Sequence, residues 1–197
     1  MKTRFKSLTL LLVGLLLGGG GVTANAGTAT TTFNFTTTFV GGSCDIKAPA
    51  SVQFNGGNAF SSNDIEQKVA ATTEALTLTL SSCGGWGLAP AIKVSGQTTT
   101  ELGGEPLFRD VMGPVDAKGY GILLQTEGNG VFAPNANLAQ SGKITPNNWN
   151  IDAQLDTLNG ASATVPLTAT LTCGNCNYAS RQGGEFKATV TFDFVYE

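Results

Sequence analysis

Apolar and polar side chains alternate with a period of two along several stretches of this chain, and that period fits a strand with one buried face rather than a helix. Phe33, Phe35 and Phe39 alternate with Asn34, Thr36 and Thr38, and Leu76, Leu78 and Leu80 with Thr77, Thr79 and Ser81. Leucine also suits helices, but the interleaved threonine and the strict period favour a half-buried strand over residues 74–83. Residues 91–94, 120–125 and 165–172 predict further strands. The clearest comes last: Phe186, Ala188, Val190, Phe192, Phe194 and Tyr196 alternate with Lys187, Thr189, Thr191, Asp193 and Val195. Turn signals separate these runs at Gly41-Gly42, Gly56-Gly57-Asn58, Ser61-Ser62-Asn63-Asp64, Gly103-Gly104, Gly128-Asn129-Gly130 and Pro146-Asn147-Asn148. Many short strands with glycine-rich connections predict an all-β sandwich, with no long helix, no internal repeat and no linker dividing two folding units.

Composition sharpens this picture. The 197 residues suffice for one domain with a real core, and charged side chains make up only 13% of them. There is no histidine. That removes the commonest metal ligand, the commonest general base and every dyad built on an imidazole, so most familiar hydrolase chemistry is excluded. Lys2, Arg4 and Lys6, the apolar run over residues 8–17 and Ala24-Asn25-Ala26 read as a secretory signal cleaved after Ala26. The apolar run is about half the roughly 20 residues that a membrane-spanning helix needs. Removing residues 1–26 takes away three basic side chains and makes the formal net charge more negative than the −3 of the whole chain. An acidic surface of this kind predicts no nucleic-acid partner.

Export changes the meaning of the four cysteines, because an oxidising compartment favours disulfides and four cysteines allow three pairings. Cys44 with Cys83 and Cys173 with Cys176 is the favoured set. The Cys173-Gly174-Asn175-Cys176 spacing also suits a redox centre or half a zinc site. Zinc would need two more ligands from a chain without histidine, and no βαβ pattern surrounds the motif, so a structural disulfide is the better reading. Neither a metal nor a cofactor is expected.

The segment from Gly184 to Glu197, with a penultimate tyrosine and a glycine fourteen residues from the end, resembles the C-terminal signature of chaperone-usher pilins of the type 1-like class. Phe33-x-Phe35-x-Thr37-x-Phe39-Val40 leading into Cys44-Asp45-Ile46 resembles the pilin N-terminal extension, with Val40-Gly41-Gly42-Ser43 as a spacer. Cys83 stands where the family's second cysteine would be. Residues 119–124 and 165–170 are similar to later pilin strands.

The resemblance implies an incomplete immunoglobulin-like β-sandwich lacking its final strand, with residues 27–42 as the donor-strand extension and 43–197 as the pilin domain. Donor-strand complementation, a form of β-augmentation, would complete the sandwich. It further implies a hydrophobic groove beside the C-terminal strand, filled first by a periplasmic chaperone and then, at the outer-membrane usher, by a neighbouring pilin subunit's extension. Gly184, Phe186, Ala188, Val190, Phe192, Phe194 and Tyr196 would form the groove and chaperone-binding strand. Phe33, Phe35, Thr37 and Phe39 would be the donor positions. Two departures stand out: Thr37 occupies a place where major pilins often carry glycine, and the Cys173–Cys176 pair lies outside the common one-disulfide pattern. The first implies slower or redirected strand exchange and the second a minor or specialised subunit; the expected function is a structural subunit, a minor one, of a cell-surface fimbrium that supports cell adhesion.

Two other classes compete. A lectin-like minor adhesin would stack host glycan on Trp86 or Trp149, although packing of Trp86 against the Cys83 disulfide or the sandwich rim is the stronger expectation. An enzyme would use carboxylates such as Glu101, Glu105, Asp110 and Asp116, but nothing in the sequence fixes a pair of them in space. No catalytic activity is expected.

Overall fold

A computed structural model describes residues 41–111, 113–160 and 164–196. The signal segment 1–26 and the donor positions Phe33, Phe35, Thr37 and Phe39 lie outside the described residues. The described residues form nine strands: β1 (Gly42–Lys47), β2 (Thr73–Gly85), β3 (Pro90–Gly96), β4 (Thr98–Thr99), β5 (Leu107–Phe108), β6 (Gly121–Thr126), β7 (Lys143–Ile144), β8 (Thr164–Thr172) and β9 (Val190–Tyr196). One sheet has the order β1-β2-β8-β6-β5-β4 and the other β7-β3-β9. Every named pairing is antiparallel. The result is the all-β, immunoglobulin-like sandwich that the resemblance implies.

The period of two explains how the sheets pack. In β2 the leucines face inward and the threonines outward, and register places Leu76 opposite Leu167 and Leu78 opposite Val165 of β8. Across the next ladder Ile122 pairs with Leu171 and Leu124 with Ala169. Residues directly opposite on one face touch, so these rows form a continuous apolar wall. The second sheet answers with Ile92 and Val94 of β3, and Phe108, Phe132, Leu138 and Leu155 fill the space at the core's margins.

Both expected disulfides form, Cys44–Cys83 and Cys173–Cys176. The first joins β1 to β2 at a bulge: the register runs from Ser43↔Gly84 to Asp45↔Ser81, which leaves an extra residue on β2. Ser82 absorbs it at φ 53°. The Asn159 amide grips the same place, accepting from the Cys83 N–H at 2.8 Å and donating to its carbonyl at 2.9 Å. The second disulfide closes a turn after β8 in which Gly174 has φ 61°, and a Cβ there would lie 1.7 Å from the Leu102 carbonyl oxygen. Only glycine fits so close an approach.

Three features depart from the sequence reading. Ser61-Ser62-Asn63-Asp64 is not a plain loop but the start of a short helix, α1 (Ser62–Glu66). The Ser61 hydroxyl and backbone N–H both donate to the Asp64 carboxylate, which in turn is held below its ordinary pKa. Gly42, assigned to the extension, is already paired with Gly85 in β1. The last strand begins at Val190 rather than Phe186, because its partner β3 runs out at Gly96, the residue opposite Val190. Before that point the chain is bonded to a loop instead: Ala117 N–H donates to Glu185, Asp110 N–H to Lys187, and Thr189 donates through both its N–H and its hydroxyl to the Asp110 carboxylate.

The disulfide between β1 and β2 closes a long loop. In the chain-entropy picture, replacing Cys44 and Cys83 together by alanine lowers stability by about 3–4 kcal/mol, measurable by denaturant unfolding with each variant's own m-value, which should rise as the opened loop lets the unfolded chain expand.

Candidate functional site: the open flank of β9

β9 is an edge strand. Its ladder to β3 is complete from Gly96↔Val190 to Pro90↔Tyr196, and among the described residues no strand pairs with its other edge. β1, the edge of the larger sheet, runs nearby without bonding to it. The consequence is visible in burial. Ile92 and Val94 are 0% and 4% exposed, while Phe194 and Phe192, directly opposite them in register, are only half-buried. The same layer of the same sheet is sealed on one strand and open on the next.

The opening is a cleft. Its larger part, about 420 Å³, is walled on one side by Phe186, Ala188, Val190 and Phe192, and on the other by Leu76, Ile122, Leu124 and Ala169 of the facing sheet. Phe54 and the segment 48–52 close one rim. A second depression of about 320 Å³ lies between Phe192, Phe194 and Tyr196 and residues 42–46 of β1. Phe192 lines both, so the cleft follows β9 along its length. A strand laid here would meet an unpaired row of backbone N–H and C=O groups on β9 and an alternating apolar floor beneath.

Most of the expected groove residues are therefore brought together: Phe186, Ala188, Val190 and Phe192 in the larger part, Phe194 and Tyr196 in the smaller. Gly184 is not among the lining residues. It lies where the 115–117 loop crosses, and a Cβ there would come within 2.5 Å of the Val115 carbonyl oxygen. The opposite wall escaped the sequence reading. Alternation marked Leu76 as inward-facing and placed Ile122, Leu124 and Ala169 on expected strands, yet which residues lie beneath an open flank depends on strand order.

The other candidates fall elsewhere. Glu101 pairs with Arg109 at 3.9 Å, Asp110 holds Thr189, and Asp116 accepts from the Gly113 N–H at 2.6 Å. These are separate bonds: Asp116 closes a turn, Glu101 meets Arg109 eight residues on, and Asp110 ties its loop to the chain before β9. Among the described residues no group of three His, Cys, Asp or Glu is placed to hold a metal, and no helix is long and apolar enough to cross a membrane. The Trp149 N–H donates to Leu88 at 2.8 Å and its ring is partly buried. Trp86 sits on the sandwich rim, its ring N–H donating to the Asp152 carbonyl at 3.0 Å, and the residue is 65% exposed rather than packed on the disulfide.

Truncating a side chain that the fold covers on one side only removes less than truncating one fully enclosed. Phe192→Ala is expected to cost the strand-free domain clearly less than the ~3–5 kcal/mol typical of a buried phenylalanine such as Phe132, measured by denaturant unfolding of both variants. Equal losses would mean that the flank of β9 is closed.

No family model matches the sequence, and no curated protein matches it. Among solved structures the chain is similar to the P pilus rod subunit PapA at 16% sequence identity and a TM-score of 0.48, over 84% of this chain and 99% of that one.

Proposed function

We propose that this chain is a noncatalytic structural subunit of a chaperone-usher fimbria, completed by a strand donated from a neighbour. The observation that carries the reading is the half-buried row on β9 beside fully buried partners on β3. Long, apolar, unpaired edges are hazards that folded proteins blunt or cover, and a cleft along such an edge fits an incoming strand. The chain also carries a sequence of the right kind: extended as a donated strand, Phe33, Phe35 and Phe39 would present three aromatic side chains on one face, with Thr37 between. Main-chain bonds to β9 would set register, and each buried aromatic would contribute about 1.5–3 kcal/mol before ordering costs.

In this reading a periplasmic chaperone covers the cleft after export, an outer-membrane usher exchanges it for a neighbouring pilin subunit's extension, and the finished fibre stands on the cell surface in support of adhesion. Thr37 in place of a smaller residue, together with the second disulfide, favours a minor position in the fibre. The alternative, a lectin-like minor adhesin taking host glycan, draws on the exposed ring of Trp86. Loss of glycan binding in Trp86→Ala with assembly intact would favour it.

The direct test adds a synthetic peptide of residues 28–40 to the subunit held by its chaperone. Chaperone release is expected, with a rise in melting temperature that grows with peptide concentration, as for any ligand bound by the folded state alone. A Phe35→Asp peptide should do neither, and the corresponding full-length variant should fold and bind chaperone but donate to no neighbour. A subunit that is stable alone and ignores both chaperone and peptide would overturn the proposal.

A further inference from the structure

Two exposed apolar pairs stand at opposite ends of β9. At the Tyr196 end, Trp86 is 65% and Ile151 is 56% exposed. They are neighbours, because the Trp86 ring is tied to Asp152 and its backbone bridges to Gln154. At the other end, Val111 is 85% and Val115 is 76% exposed, on the loop bonded along residues 185–189. Among the described residues none of these side chains is covered, and adjoining exposed apolar groups, unlike single scattered ones, mark candidate contact surfaces.

We infer that these two patches meet between successive copies of the chain in a fibre, with Trp86 and Ile151 of the donor against Val111 and Val115 of the acceptor. The inference rests on the strand-donation reading and adds the surface that accompanies it. Its first support is chain length. The Trp86 N–H donates to the Gly41 carbonyl at 3.2 Å, so the extension leaves the body beside Trp86. Phe39 is two residues earlier, and two residues span at most about 7 Å. Once Phe39 is seated in an acceptor, the donor's Trp86 end is held against that acceptor's cleft.

The second support is direction. Gly41 lies against Leu88, and β3 places Pro90 opposite Tyr196, so each extension leaves from the Tyr196 end of its own body. A donor strand parallel to β9 would put Phe39 at the acceptor's Tyr196 end, where the acceptor's own extension departs. That arrangement brings like ends together and favours a closed pair. An antiparallel donor puts Phe39 at the Phe186 end, beside Val111 and Val115, and the same head-to-tail step repeats without closing. Antiparallel pairing is also the form used by every named ladder of this molecule. Because the chain is acidic overall, contact through uncharged patches avoids the repulsion that copies would otherwise meet.

The test is a cysteine pair. Full-length chain carrying Trp86→Cys and Val115→Cys is assembled and then oxidised, and a ladder of covalent multimers is expected on a non-reducing gel, absent from either single variant. A polymer that forms without a ladder overturns the contact and leaves strand donation standing. Failure to polymerise, with the unsubstituted chain failing too, overturns both. Charge pairs give a second readout that leaves the native cysteines alone. Growth followed by light scattering at low salt should be about tenfold or more slower for Trp86→Glu with Val115→Glu than for Trp86→Lys with Val115→Glu, and the gap should narrow with added salt. Equal rates would overturn the contact.

Discussion

Among the described residues β9 is bonded on one side only, which leaves its inward side chains half-buried, and the rest of this structure is arranged around that strand. β9 takes its register from β3 and its apolar alternation from Val190, Phe192 and Phe194, but the layer it belongs to is sealed only as far as β3. The half-buried apolar row and the backbone edge that is unpaired among the described residues lie along the same flank of β9. A side chain from any direction could cover the first, but only an extended backbone satisfies both at once.

The cleft stays open because its walls are fixed independently of one another. The facing wall belongs to the central strands of the larger sheet, where Leu76, Ile122, Leu124 and Ala169 are held by ladders on either side or by their direct partners. The rim at β1 is pinned by the Cys44–Cys83 disulfide, by the bulge at Ser82 and by the Asn159 amide. The flank at residues 185–189 is bonded to the 109–117 loop and so cannot fold inward. Collapse of the sandwich onto its own opening would require breaking one of these anchors.

The sequence announced the strands of period two more clearly than anything else. The leucine row of β2, the residues of β8 and the aromatic row of β9 were all legible, since a half-buried strand writes its face directly into the order of its residues. The two-residue strands β4, β5 and β7 were not, because a pair of residues is too short to show a period. Helix α1 was missed although Ser61 and Asp64 carry the spacing of a cap, since serine and asparagine also mark turns. Half of the site was readable from Phe186 to Tyr196 alone. The other half needed the order β1-β2-β8-β6, which no local pattern encodes, and Gly184, noticed for its place in a signature, turned out to serve a backbone crossing.

Amide hydrogen exchange reports the open edge at the level of single bonds. In the Phe35→Asp monomer, alternate amides of β9 should point into the cleft and exchange fast, while those bonded to β3 are slow. In the polymer of unsubstituted chains the fast set should become protected together. Uniform protection across residues 190–196 in the monomer, or a fast set that stays fast in the polymer, would contradict the account.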